Sequence, residues 1–100
     1  MTISIQDFSQ IDLRVAVITA AEEHPDADKL LVLKVDAGDG EKQLVAGIKT
    51  HYSVEELVGK KIIVVNNLTP AVLRGVESNG MLLAARDGDD VVLVTTDKDV

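Results

Sequence analysis

The chain has 100 residues, 46% of them apolar and 27% charged, a balance that excludes disorder on charge grounds and predicts one small globular domain spanning residues 1–100. The formal net charge of −7, from 17 acidic and 10 basic side chains, argues as a bulk figure against a phosphate-rich partner. There is no cysteine, so disulfides, thiolate nucleophiles and cysteine zinc sites are excluded. Met1 to Phe8 lacks a signal-peptide pattern, and no apolar run approaches the roughly 18 residues of a membrane span, so a soluble, cytoplasmic chain with no membrane role is expected.

In chain order, Ser4 and Asp7 have capping-box spacing and predict a short helical turn. Ile11, Leu13, Val15 and Val17 alternate with Asp12, Arg14 and Ala16, the period of a strand whose odd-numbered face is buried. A polar loop, His24 to Lys29, precedes a second alternating run from Leu31 to Asp36. Two glycines in the turn Asp36 to Glu41 and a third strand at Leu44 to Ile48 predict a hairpin. Ser53 and Glu56 repeat the capping-box spacing and begin a short helix that Gly59 stops. Lys61 to Val65 is a β-branched central strand. Loops follow at Asn66 to Pro70 and Gly75 to Gly80, and Met81 to Ala85 and Val91 to Thr95 flank Asp87 to Asp90 as a last hairpin. Three strands, a helix, a strand and a hairpin is the order of an OB-fold, an all-β, five-stranded Greek-key barrel with a helix between strands 3 and 4; a generic small barrel is the alternative.

Catalytic chemistry finds no foothold. The two histidines, His24 and His51, fall in loops without the nucleophile, base and orienting group of a hydrolytic site, and read as solvated loop residues. The acidic turns Asp36 to Glu41 and Asp87 to Asp90 lack the length and ligand pattern of a calcium loop, so no metal and no cofactor is implied. Charge resolved by segment changes the bulk picture. From Lys42 to Arg86 six basic residues face three acidic ones, a net of +3, while the remainder carries four basic and 14 acidic residues, a net of −10. A local basic surface on an acidic molecule is therefore permitted. With Tyr52 and Phe8 the sole aromatics, any RNA contact would lean on Lys and Arg, on amides and hydroxyls, and on Met81 against a base, although a strand Met also suits a core.

Five stretches together, Ile11-Asp-Leu-Arg-Val, His24-Pro-Asp-Ala-Asp-Lys-Leu, Val45-Ala-Gly-Ile, Asn67-Leu-Thr-Pro and Leu73-Arg-Gly-Val-Glu-Ser-Asn-Gly-Met-Leu-Leu-Ala-Ala, resemble the tRNA-binding domain family over nearly the whole chain. That family includes the appended domain or beta subunit of methionyl-tRNA synthetases and free-standing structure-specific tRNA-binding proteins. The resemblance implies a non-catalytic OB-fold that binds tRNA by shape and backbone, often as a homodimer, and that can serve a methionyl-tRNA synthetase catalytic chain. The RNA-binding candidates are Lys42, Lys49, Asn67, Arg74, Ser78, Asn79 and Met81; the loop from Gly75 to Gly80 can alternatively be a barrel-closing turn without a ligand. The family usually carries basic residues where this chain has Thr69, Ala71 and Val72, and serine at Ala46. Losing up to three phosphate contacts, each worth about 0.7 to 0.9 in log–log salt slope, predicts weaker and less salt-sensitive binding. It also leaves room for an oligomerisation or protein-docking module that has lost much of its RNA affinity.

Overall fold

The computed structural model describes residues 1–100. Ser4 and Ser53 both cap their helices as the spacing predicts, without the reciprocal carboxylate bond of a full capping box. The Ser4 hydroxyl accepts from Asp7 N–H at 3.0 Å to start α1 (Ile5–Phe8), and Ser53 accepts from Glu56 N–H at 3.4 Å to start α2 (Val54–Leu57). Each is a single turn; α2 persists because Leu57 is fully buried beneath the barrel.

The strands are β1 (Leu13–Glu23), β2 (Leu31–Asp36), β3 (Glu41–Ala46), β4 (Lys61–Val65), β5 (Ala71–Leu73), β6 (Val76–Ser78), β7 (Met81–Leu82), β8 (Ala84–Asp87) and β9 (Asp90–Leu93). Five of them form one antiparallel sheet in the order β3-β2-β1-β4-β7, with α2 between β3 and β4. Its far edges curl together. Asn79 N–H donates to the Gln43 carbonyl at 2.8 Å and Val45 N–H to the Ser78 hydroxyl at 3.0 Å, so β3 meets the β6–β7 segment and the sheet becomes a nearly closed, OB-like barrel.

The interior is aliphatic, as a chain with two aromatics requires. Ile18, Leu31, Leu33, Val35, Leu44, Ile62 and Val64 are fully enclosed with Leu57. Tyr52 packs at the edge of this cluster and its hydroxyl accepts from Leu93 N–H at 2.9 Å, tying β9 to the α2 side.

Three expectations need correction. In β1 the odd-numbered face is not the buried one: Ala16 and Ile18 point into the core, while Leu13 and Val15 stay 41% and 42% exposed. The strand is also longer than its alternation suggests, because a bulge at Thr19 shifts the register between Ile18 and Ala20; beyond it Ala21 lies opposite buried Leu33. The phase of inward residues thus switches from even to odd mid-strand. Finally, the stretch read as two loops contains a hairpin, β5–β6. Leu73 pairs with Val76, and both residues between them, Arg74 at φ 53° and Gly75 at φ 88°, are left-handed, the conformation that a two-residue type I′ turn requires. Arg-Gly is a weaker turn signal than Asn-Gly, so the sequence does not mark the short strands that flank it.

The last hairpin, β8–β9, forms its own two-stranded sheet, and the fifth barrel strand is the short β7 alone. No helix is long and apolar enough to cross a membrane.

Candidate nucleic-acid interface

β3 ends the five-stranded order, so its free edge is open except where the segment from Asn66 to Asn79 folds over it. Between the two lies a polar cleft of about 590 Å³, within the ~300–1,000 Å³ usual for ligand sites. Lys34, Glu41, Lys42 and Gln43 come from the β2–β3 hairpin; Asn66, Glu77 and Asn79 face them, and Leu68 and Pro70 supply apolar surface.

Internal hydrogen bonds hold the walls. Lys34 Nζ donates to Gln43 Oε1 at 2.8 Å, and Gln43 Nε2 donates to the Glu77 carbonyl at 2.8 Å. Lys42 Nζ donates to the side-chain and main-chain oxygens of Asn66. Both lysines are thus positioned by neutral amide oxygens. Three of the other cations are matched to carboxylates: Lys49 with Glu23 at 2.9 Å, Lys61 with Asp99 at 2.8 Å, and Arg14 with Asp12 at 3.2 Å and Asp39 at 3.6 Å.

The seven sequence candidates therefore divide. Lys42 and Asn79 line the cleft. Lys49 lies outside it, ion-paired. Asn67 is occupied locally: its Oδ1 accepts from Asp12 N–H at 2.8 Å and its Nδ2 donates to the Gln10 carbonyl at 2.7 Å, pinning the amino-terminal segment. Arg74 sits on the β5–β6 turn and donates to the Asp26 carbonyl at 3.2 Å. Ser78 is a correction, because it is only 2% exposed and its hydroxyl accepts from Val45 N–H and donates to the Gly80 carbonyl at 2.8 Å. Met81 is half-buried against the core, in line with the alternative reading of a strand methionine.

The segment charge also needs revision. Of the six basic residues between Lys42 and Arg86 only Lys42 lines the cleft; Lys49 and Lys61 are ion-paired and Arg74 bonds the Asp26 carbonyl. The cleft instead recruits Lys34 and Glu41 from outside that segment. In the sequence Lys34 is a lone charge in an apolar strand, and its place in the cleft follows from its pairing opposite Gln43, which the hairpin register sets.

His24 is a further correction. It is 5% exposed, its Nδ1 accepts from Asp26 N–H at 2.9 Å, and so Nε2 carries the proton and donates to the Leu73 carbonyl at 3.0 Å. With Arg74, it joins the β1–β2 loop to the β5–β6 hairpin that follows the cleft wall. Next to the wall, the Arg14 guanidinium bonded to Asp12 holds that carboxyl below its ordinary range, with Asn66 and Lys42 assisting against partial desolvation. The same pairing raises Arg14.

The family described as "Putative tRNA binding domain" matches residues 13–100. A methionine–tRNA ligase of Methanococcus aeolicus is 57% identical over 98 residues, 98% of this chain and 14% of the ligase. One from Thermotoga maritima is 54% identical over 98% of this chain and 16% of its own length. The chain thus spans less than a fifth of these ligases. Among solved structures, a MetRS-related protein from Pyrococcus horikoshii superposes with a TM-score of 0.90 at 37% identity, covering 100% of this chain and 93% of that one. The chaperone CsaA from Bacillus anthracis gives 0.87 at 32% identity, with 100% and 93% covered. An aliphatic OB-like barrel with a polar edge cleft, matched along nearly its whole length, is an accessory binding module, and the chain belongs to the tRNA-binding domain family.

Proposed function

We propose that this chain binds tRNA across the β3-edge cleft, contributes no chemistry, and serves in the cytoplasm as the appended domain or beta subunit of a methionine–tRNA ligase, with that enzyme's catalytic chain as its partner. The observation that carries the reading is the pair Lys34 and Lys42, held on amide oxygens within a cleft that the family match encloses. Neither lysine is in a direct ion pair, although Glu41 and Glu77 share the cleft, so a phosphate is best met by Lys42 at the cleft rim and not between the two lysines. Titration of unfractionated tRNA at two salt concentrations tests it. Lys42→Ala should weaken binding and lower the salt slope by about 0.7 to 0.9, one phosphate contact; no affinity at low salt refutes the proposal.

A second feature supports a homodimer. Leu13 and Val15 stand on the outer face of β1 and stay exposed, opposite buried Val65 and half-buried Ile63 of β4, and Phe8 and Ile11 before β1 are exposed as well. Several exposed apolar side chains in one stretch of chain are what a self-complementary interface would cover. Sedimentation equilibrium should find a dimer in the parent chain and a monomer in Leu13→Asp/Val15→Asp. A parent chain that stays monomeric overturns this part. A tight dimer without tRNA affinity would instead favour an oligomerisation or docking role.

A further inference from the structure

The cleft groups left over after internal bonding match one nucleobase. Glu77 and Asn79 are two positions apart, so their side chains share a face, while Ser78 between them points inward and is locked by its two internal bonds. Their backbones are tied to β3 through the Gln43 side chain and carbonyl, both at 2.8 Å. The Glu77 carboxylate takes no part in an ion pair, and no internal bond occupies it or the Asn79 side-chain amide. Lys34 is bonded to Gln43, the residue that also holds Glu77, and retains ammonium protons to donate.

The cleft's two lysines are offset by Glu41 and Glu77, so a phosphate buried among them would meet as much repulsion as attraction. A carboxylate seeks N–H donors. Among the four bases, guanine alone offers two adjacent donors, N1–H and the 2-amino group, beside an acceptor, O6; adenine and cytosine present one amino donor next to a ring acceptor, and uracil a single N–H between two acceptors. Leu68 and Pro70 give the base an apolar surface in a chain whose two aromatics lie outside the cleft.

We infer that the cleft captures an unpaired guanine of the bound RNA, with Glu77 accepting from N1–H and the 2-amino group and Lys34 donating to O6. This makes Glu77 the specificity-determining residue, and it rests on the tRNA-binding reading above. The phosphates of the same strand are left to Lys42 and the cleft rim.

The test uses stem–loop RNAs whose loops are all uridine except for one G, A, C or inosine, titrated by fluorescence anisotropy beside unfractionated tRNA. The guanine loop should bind about 5- to 100-fold tighter than the all-uridine loop, the range of a bidentate base contact. Inosine, which lacks the 2-amino group, should lose much of that advantage, and Glu77→Ala should abolish the ratio between guanine and the other loops. Glu77 is exposed and its side chain bonds nothing, so the variant is expected to fold; the inosine arm needs no variant. If tRNA binds while the loops bind equally, or not at all, the guanine inference fails and tRNA binding stands. If neither tRNA nor any loop binds at low salt, both fail.

Discussion

Replacing Ser78 with alanine separates a structural hydroxyl from a ligand-binding one. The Ser78 hydroxyl sits between Val45 N–H and the Gly80 carbonyl, and Val45 is fully buried. Removing it leaves one donor and one acceptor without a partner where water does not reach, at about 1–3 kcal/mol for each desolvated group. A combined loss of roughly 2–6 kcal/mol is a large share of the ~5–15 kcal/mol that stabilises a domain of this size. At about 4–8 °C per kcal/mol, the melting temperature should fall on the order of 10–50 °C. With no tryptophan in the chain, far-UV circular dichroism is the practical probe of unfolding. At a temperature where the variant remains folded, its tRNA affinity should change by less than about threefold, or ~0.7 kcal/mol, because the hydroxyl faces away from the cleft. An unchanged melting curve combined with lost tRNA affinity would refute the assignment and return Ser78 to the binding surface.

Other outcomes follow from the same geometry. Lys49→Ala should lower tRNA affinity less than Lys42→Ala, since Lys49 lies outside the cleft and is engaged by Glu23; equal losses in parallel titrations would move the interface towards Lys49. Gly80→Ala should destabilise far more than Gly38→Ala. Both glycines have positive φ, but a Cβ at Gly80 would lie 2.9 Å from the Val65 carbonyl oxygen, adding a backbone clash to strain of about 1–3 kcal/mol, and urea midpoints compare the two. His24→Phe should lower the melting temperature by leaving Asp26 N–H unbonded and removing one bond to the Leu73 carbonyl, whereas His51→Phe, at an exposed position, should change it little. Acid should weaken the fold through Asp12 and Asp99, whose folded-state pKa values are held low by Arg14 and Lys61 respectively. For depressed carboxylates the stabilisation is present above the unfolded value of 3.8 and is lost as pH falls through the lower folded value. Urea midpoints should therefore drop below about pH 4, and Asp12→Asn should show a smaller drop between pH 5 and pH 3 than the parent chain.

Local rules sufficed for the parts of this protein governed by neighbours in sequence. Ser4 and Ser53 cap their turns because a hydroxyl reaches an N–H three residues on, whatever lies elsewhere, and the aliphatic core follows from a composition with almost no aromatics. The barrel order and the family resemblance were likewise legible, since the motifs span the chain in order. The tertiary structure decided what depends on partners far along the chain. Alternation in β1 could not say which face is buried, because both phases carry apolar residues and the Thr19 bulge exchanges them mid-strand; packing of Ala16 and Ile18 against β2 and β4 made the choice. Nor could spacing separate Ser78 from Asn79, adjacent polar residues of which one bonds β3 and the other faces the cleft. The +3 segment dispersed for the same reason: a side chain's charge acts where the fold carries it, and Glu23 and Asp99 meet Lys49 and Lys61 only after the sheet has closed.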